Sequence, residues 1–106
     1  MKDKYYHDTR GYYFNKYPED EKARLEKAVD KFAYKMKKKL IKKFEEGYRG
    51  WDSKENKEII ANKLQDNCVT ALEEFDKNGL TDKAKKEFID IANLAMMLTR
   101  FCDYNN

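Results

Sequence analysis

Residues that interrupt helices are scarce in this chain, which has one proline and four glycines in 106 residues. Both residue types weaken a helix interior, so their scarcity permits long helices and favours an all-α fold. No run of about 18 apolar residues occurs, which excludes a transmembrane helix within this sequence. The N-terminal residues contain no apolar segment typical of a signal peptide, so we expect a cytoplasmic protein.

Metal-binding and nucleophilic side chains are equally few, because Cys68, Cys102 and His7 are the only cysteines and the only histidine. There is no CxxC pair and no second histidine, so the sequence offers neither a zinc site nor His- or Cys-based catalysis. The two cysteines fit buried, reduced thiols better than a disulfide. We assign no catalytic residue from the sequence.

Charged residues make up 41% of the chain, but acids and bases nearly balance at a net charge of +3. A net charge this small indicates no class of binding partner, so the distribution of the charges along the chain is the more informative feature. A chain of this length suits one small domain with a modest core, and self-association would help to stabilise it.

Apolar residues recur every three or four positions in three segments, and each segment has helix start and stop signals. Pro18 opens the first segment and Gly47 closes it, Asp52 or Ser53 caps the second, and Thr81 or Asp82 caps the third. The predicted helices cover about 19–46, 53–77 and 81–102. We expect an all-α three-helix bundle, with the long first helix packed on an antiparallel hairpin.

Residues 1–18 have no regular period and are predicted to form an irregular, tyrosine-rich arm whose tyrosines pack back on the body. Residues 19–106 are predicted to form a single helical domain. The third helix is apolar on nearly all sides, so we expect a second copy of the chain, or another partner, to cover its second apolar stripe. That stripe consists of Leu94, Met97 and Phe101. The helix also has a narrow sector that we expect to be exposed to solvent, which consists of Lys86, Asn93 and Arg100.

Two carboxylates, Glu87 and Asp90, stand three residues apart on this apolar third helix. At helical spacing they project from the same side, about one turn apart. A carboxylate in apolar surroundings is costly unless a cation, a metal or a hydrogen-bond donor meets it. This acidic pair is therefore the first candidate for a functional site.

The tripeptide Gly50-Trp51-Asp52, then a helix and a short turn, then DIANLAMML at Asp90–Leu98, resembles small phage and prophage proteins related to the MazG-like all-α nucleotide pyrophosphohydrolases. The resemblance covers roughly residues 36–101. It implies a helical bundle, usually dimeric or tetrameric, that binds Mg²⁺ through ExxE on one helix and ExxD on the next. The metal would hold a nucleoside triphosphate and polarise its phosphates while water attacks.

The acidic pair supplies the ExxD half of that pattern, but the ExxE half is displaced. Glu55 and Glu58 match its letters, yet in an antiparallel hairpin Glu58 lies about 20 Å from the residues that face the acidic pair. Those facing positions hold Asn67, Cys68, Thr70 and Ala71, with Glu74 a turn or two away. The incomplete acid set leaves enzymatic activity open and makes a non-catalytic role the first expectation.

Three roles for the acidic pair follow from this geometry. Asp90 can lock the helix register by accepting hydrogen bonds from Asn67, Arg49 or an arm tyrosine. Alternatively, Glu87 and Asp90 hold Mg²⁺ weakly with help from Glu74, or they contact a partner directly. No cofactor is expected unless the second role applies, in which case it is Mg²⁺.

Six basic residues recur on the side of the first helix opposite its apolar face, within a sector of about 80° and over about 27 Å. This basic face consists of Arg24, Lys27, Lys31, Lys35, Lys38 and Lys42. A solvated surface is one explanation, but ordinary surfaces mix the two signs of charge. A nucleic-acid backbone is the other explanation, because lysines that neutralise phosphates release counterions.

Arg49 and Trp51 lie in the loop after the first helix. Trp51 is predicted to anchor the loop on the bundle or to stack on a base, and Arg49 to contact phosphate or to pair with Asp52. The first functional expectation is a non-catalytic, phage-type interaction protein that binds a nucleic acid or a host defence nucleoprotein, as anti-CRISPR inhibitors do. The alternative is MazG-like, Mg²⁺-dependent binding or pyrophosphohydrolysis of nucleoside triphosphates. Both expect a homodimer and no membrane.

Overall fold

A computed structural model describes residues 5–7, 13–15 and 18–104 of the chain. Three long helices dominate it, which confirms the predicted all-α class. The helices are α1 (Pro18–Glu45), α2 (Lys57–Asn78) and α3 (Asp82–Tyr104), with a 3-10 helix at Lys54–Asn56 before α2. Within the described residues, no helix is both long and apolar enough to cross a bilayer.

The chain divides into two compact units, residues 1–33 and 34–106. The first unit contains two short antiparallel strands, β1 (Tyr5–His7) and β2 (Tyr13–Asn15), in which Tyr6 pairs with Phe14. These strands differ from the irregular arm that we predicted, and their aromatic residues favour extended backbone. The expected packing of the arm tyrosines lies outside the described residues.

The end of α1 is set by Gly47, as predicted. Gly47 has a φ of 106°, and its N–H donates to the carbonyl of Phe44 at 3.0 Å while the N–H of Tyr48 donates to that of Lys43 at 3.1 Å. This pair of bonds is a Schellman motif, which requires a left-handed residue that glycine adopts without strain.

The turn between α2 and α3 is equally short. Gly79 has a φ of 80°, and its N–H donates to the carbonyl of Phe75 at 2.9 Å. Thr81 then caps α3, because its Oγ1 accepts the Ala84 N–H at 3.1 Å. With so tight a turn the two helices run antiparallel and pack along each other.

The start of α2 differs from the prediction. Ser53 does not cap the backbone, because its hydroxyl donates instead to the Glu55 carboxylate at 2.8 Å. The chain passes through the 3-10 turn at Lys54–Asn56 before the α-helix begins at Lys57, four residues later than expected.

The described core is small. It consists of Ile60, Ala71, Ala84, Ile89 and Phe101, and no large side chain in the described residues is fully buried. The two alanines, one on each hairpin helix, are 0% exposed. A core of this size stabilises a domain only weakly by itself.

Several expected exposures are wrong. Asn93, which we placed in the exposed sector of α3, is only 4% exposed, whereas Leu72 and Phe75 of α2 are 57% and 44% exposed. Cys68 is half-buried and Cys102 is exposed, and both are free thiols. Asn93 is buried because α1 also contacts α3, through the Asn93–Met36 hydrogen bond and an ion pair between Lys39 and Asp90, so a residue opposite α2 is not automatically in solvent.

Candidate functional site

A groove of about 590 Å³ opens in the second unit. It is bounded by the C-terminal part of α1, the loop before α2, the start of α2 and the middle of α3. Aliphatic and methionine side chains such as Leu40, Ile60 and Met97 form much of its lining. Its cations are Lys39, Lys43, Arg49 and Lys63, and its acid is Asp90. The groove is therefore an apolar cleft with a surplus of positive charge.

The two segments that carry the MazG-like resemblance meet at this groove. Trp51 of the GWD tripeptide lines it together with Asp90, Asn93 and Leu94 of the DIANLAMML segment. These segments are distant in sequence, so the folding of α1, α2 and α3 places them side by side.

Arg49 closes the C-terminal end of α1. Its Nη1 donates to the carbonyl of Phe44 at 2.6 Å and to that of Tyr48 at 2.9 Å, and its guanidinium lies 3.8 Å from the centroid of the Phe44 ring. A cation is favoured here because the last carbonyls of a helix carry partial negative charge. Neither a phosphate contact nor pairing with Asp52 is therefore needed to explain its position.

Trp51 is held at the groove by a tight loop. Gly50, with a φ of 80°, accepts hydrogen bonds at its carbonyl from the Ser53 N–H at 3.1 Å and from Nδ2 of Asn56 at 2.6 Å. Trp51 remains 41% exposed, so much of the side chain faces solvent. The predicted anchoring role and the predicted stacking role are both compatible with this position.

Asp90 is met by Lys39. The Lys39 Nζ lies 2.7 Å from Oδ1 of Asp90, and the two side chains are 31% and 38% exposed. We expected Asn67, Arg49 or an arm tyrosine as the partner, and Lys39 of α1 takes that place. The signal for it was in the sequence, because Lys39 and Lys43 lie on the flank of the basic face, toward the apolar side of α1.

The other two predicted metal ligands have different surroundings. Glu74 accepts hydrogen bonds from the Thr81 hydroxyl at 2.8 Å and from Nδ2 of Asn78 at 3.2 Å, and these bonds, Thr81 first, lower its pKa. Glu87 has one buried carboxylate oxygen, Oε1, which has no hydrogen-bond partner within the part of the chain that the structure describes.

The donor set does not fit Mg²⁺. Within the described part of the chain, no three His, Cys, Asp or Glu side chains form a group that suits a metal ion. Glu87, Asp90 and Glu74 are thus not brought together as the metal interpretation requires, and the Lys39 ammonium already neutralises Asp90.

Asn93 is a groove residue that the sequence analysis missed. Its Nδ2 donates to the carbonyl of Met36 on α1 at 3.4 Å, which is long for a hydrogen bond, and its buried Oδ1 has no partner among the described residues. The signal that pointed to it is that Asn93 is the only amide in the otherwise apolar run after Asp90.

The basic face is solvent-exposed along α1, except for Lys35, which is half-buried. Ion pairs within the described residues join Lys39 to Asp90, Lys43 to Glu46 and Lys83 to Glu74. None of these pairs includes a basic-face residue, so no acid among the described residues forms an ion pair with that face. Arg24, Lys27 and Lys31 belong to the first unit, and Lys35, Lys38 and Lys42 to the second.

Comparison of the chain with protein-family models, with curated proteins and with solved structures found no match in any of the three. The MazG-like resemblance therefore stays a prediction drawn from the residues quoted above.

Proposed function

We propose that this protein is a non-catalytic nucleic-acid-binding protein that contacts phosphates through the basic face of α1. The observation that supports this most strongly is the run of cations that form no ion pair within the described part of the chain. Lys35, Lys38 and Lys42 span about 10 Å along the helix, which matches two or three successive phosphates of a strand. Contacts of this kind give affinity without sequence specificity.

The non-catalytic part of the proposal is supported by the environments of the acids. Lys39 engages Asp90, while Thr81 and Asn78 engage Glu74. Each of these acids is already engaged by side chains of the chain itself, which supports a structural role for it.

The resemblance to phage proteins suggests where such binding would be used. A phage-encoded protein of this kind would act in the host cytoplasm, on phage or host nucleic acid or on a host defence nucleoprotein, as anti-CRISPR-type inhibitors do. We favour nucleic acid as the direct partner, because the basic face is complementary to phosphate. If the protein binds an intact nucleoprotein but not its isolated nucleic acid, the direct partner is a protein.

Charge reversal tests the proposal. We expect Lys38→Glu with Lys42→Glu to weaken binding of a fluorescein-labelled 20-base-pair duplex in anisotropy titrations at several salt concentrations. The slope of log K against log salt should fall by about 1.8, because two phosphate contacts are lost.

The matched control is Lys57→Glu with Lys85→Glu, which changes the net charge equally. Both lysines are exposed and lie in first helical turns, where a glutamate is tolerated. This control should keep most of the affinity. Equal binding by all three proteins, or wild-type protein that binds no nucleic acid at low salt, would overturn the proposal.

The alternative is MazG-like binding or hydrolysis of nucleoside triphosphates. It is favoured by one observation, that the two segments of the resemblance line the same groove. Release of pyrophosphate from a deoxynucleoside triphosphate with Mg²⁺, abolished by Asp90→Asn, would support the alternative over the binding protein.

We also propose that the protein is a homodimer. The expected surface on α3 is largely covered, because Phe101 is 4% exposed and Leu94 and Met97 are half-buried. Val69, Leu72 and Phe75 instead form an outer face on α2, with 51%, 57% and 44% exposure. Side chains three positions apart lie along one side of a helix, so this outer face suits a second copy of the same helix.

A further inference from the structure

We infer that the groove holds unpaired bases of a single-stranded nucleic acid, so that the protein prefers single strands to duplexes. This inference rests on the proposed nucleic-acid binding and names the class of nucleic acid. A base in a duplex is stacked and paired, whereas an unpaired base is free to enter a cleft.

Aromatic side chains at the groove provide stacking surfaces. Trp51 and Tyr48 both line it and are 41% and 64% exposed. Bases stack on such rings with little regard to sequence, because every base has a π-face. The volume of about 590 Å³ lies within the range of pockets that take small organic groups, which includes a base with its sugar.

Polar groups without partners lie on the α2 wall of the groove. Lys63 and Asn67 are four residues apart and therefore neighbours on one side of that helix. Neither side chain forms a hydrogen bond or an ion pair within the described part of the chain. A cation beside an amide suits a nucleotide, whose phosphate pairs with the lysine and whose base edge pairs with the amide.

Asn93 provides a second, independent observation. It is 4% exposed, and its Oδ1 has no hydrogen-bond partner among the residues that the structure describes. A buried amide oxygen normally accepts a hydrogen bond, so this oxygen suits a donor from a bound group. The exocyclic amine of a base supplies one after the amide turns toward the groove, and the long 3.4 Å bond to Met36 opposes that turn only weakly.

The charge pattern connects the groove with the basic face. Lys39 and Lys43 line the groove and lie on the flank of α1 between its apolar side and the basic face. Because the basic face and the groove lie on opposite sides of α1, a strand whose phosphates follow Lys35, Lys38 and Lys42 has to cross this flank, past Lys39 and Lys43, to place its next bases in the cleft.

Trp51 is the only tryptophan, so its fluorescence reports on the groove directly. We expect oligo(dC) of 15 nucleotides to quench that fluorescence and to bind roughly tenfold more tightly than a hairpin duplex of equal phosphate number. Oligo(dC) should also bind more tightly than oligo(dT), which has no exocyclic amine.

Variants of the same residue provide the control. Trp51→Leu should lose the single-strand preference while its affinity for the duplex is unchanged, and Trp51→Phe, which keeps a ring, should retain most of the preference. If Trp51→Leu does not fold, the inference is still tested by two wild-type measurements, the ratio of single-strand to duplex affinity and the quenching of Trp51 fluorescence by oligo(dC).

The failures of the two proposals are distinguishable. Equal affinity for single strand and duplex without quenching, with both weakened by Lys38→Glu and Lys42→Glu, would overturn the groove inference and leave the proposed function intact. Absence of binding to either form would overturn both. Quenching by an acidic amphipathic peptide but not by oligo(dC) would assign the groove to a protein partner and refute the inference.

Discussion

Glu74 joins the two hairpin helices at their connection. Its carboxylate on α2 accepts the hydroxyl of Thr81, whose oxygen in turn accepts the Ala84 N–H at the start of α3. One side chain thus links the last turns of α2 to the N-cap of α3. The Lys83 ammonium, 3.9 Å away, adds a weaker attraction.

The lowered pKa of Glu74 predicts a pH dependence of stability. The hydrogen bonds from Thr81 and Asn78 favour the charged form, so the folded state binds this proton less readily than the unfolded state. The contribution of Glu74 is therefore present above its ordinary value of 4.5 and is lost as the pH falls through the lowered pKa.

Urea unfolding at a series of pH values from 7 to 3 measures this contribution. We expect Glu74→Gln to reduce the loss of unfolding free energy on acidification, whereas Glu73→Gln, the same charge change at an exposed neighbour, should leave it unchanged. Identical acid profiles for wild type and Glu74→Gln would contradict the prediction.

The sequence predicts that a buried or half-buried charged residue needs a partner, but it does not predict which residue that partner is. The sequence indicates that Glu87 and Asp90 need compensation, because they interrupt an apolar helix. It does not reveal Lys39 as the partner, since the register of α1 against α3 depends on contacts between residues far apart in sequence. Asn93 was misplaced for the same reason, because its burial depends on Met36 of α1.

The helices themselves were predictable to within a few residues. Pro18, Gly47 and Gly79 act through local backbone geometry, and so their effects can be read from neighbouring residues alone. The start of α2 was less predictable, because the Ser53 hydroxyl can either cap the backbone of the helix or donate to the Glu55 carboxylate. In the structure it donates to Glu55. The buried face of α2 was the least predictable, since Leu72 and Phe75 fit the helical period of the core and yet are exposed.

Gly47 at the end of α1 permits a quantitative prediction. Its φ of 106° is unfavourable for a side chain, while a Cβ added there would meet no atom within 4 Å, so alanine adds strain without a clash. We expect Gly47→Ala to lower the free energy of unfolding by about 1 kcal/mol.

The measurement is urea unfolding followed by circular dichroism. Gly47→Asn is the matched variant, because asparagine tolerates positive φ better than alanine, and it should lose less stability. An alanine variant as stable as wild type would show that the Schellman motif contributes nothing to the fold.

The described part of the chain exposes more large apolar side chains than it buries. The described core has five apolar residues, of which two are alanines, whereas the exposed large apolar side chains include Leu25, Val29 and Ile59 as well as the outer face of α2. Burying apolar surface contributes about 25 cal/mol per Å², so a small core provides little stability and a dimer interface adds to it.

Replacing the outer face of α2 tests the homodimer. We expect wild-type protein to sediment as a dimer at micromolar concentration, and Leu72→Glu with Phe75→Glu to sediment as a monomer, because charges on both copies would face each other in the interface. Helicity should largely persist, since both side chains are substantially exposed in the single chain.

Leu80→Glu is the control for a general effect of replacing a leucine with an acid. Leu80 is 81% exposed and lies in the turn before α3, away from the outer face. This variant should remain dimeric with an unchanged dissociation constant. A wild-type protein that is monomeric at every concentration would rule out the homodimer, and dissociation by Leu80→Glu alone would move the interface to the turn.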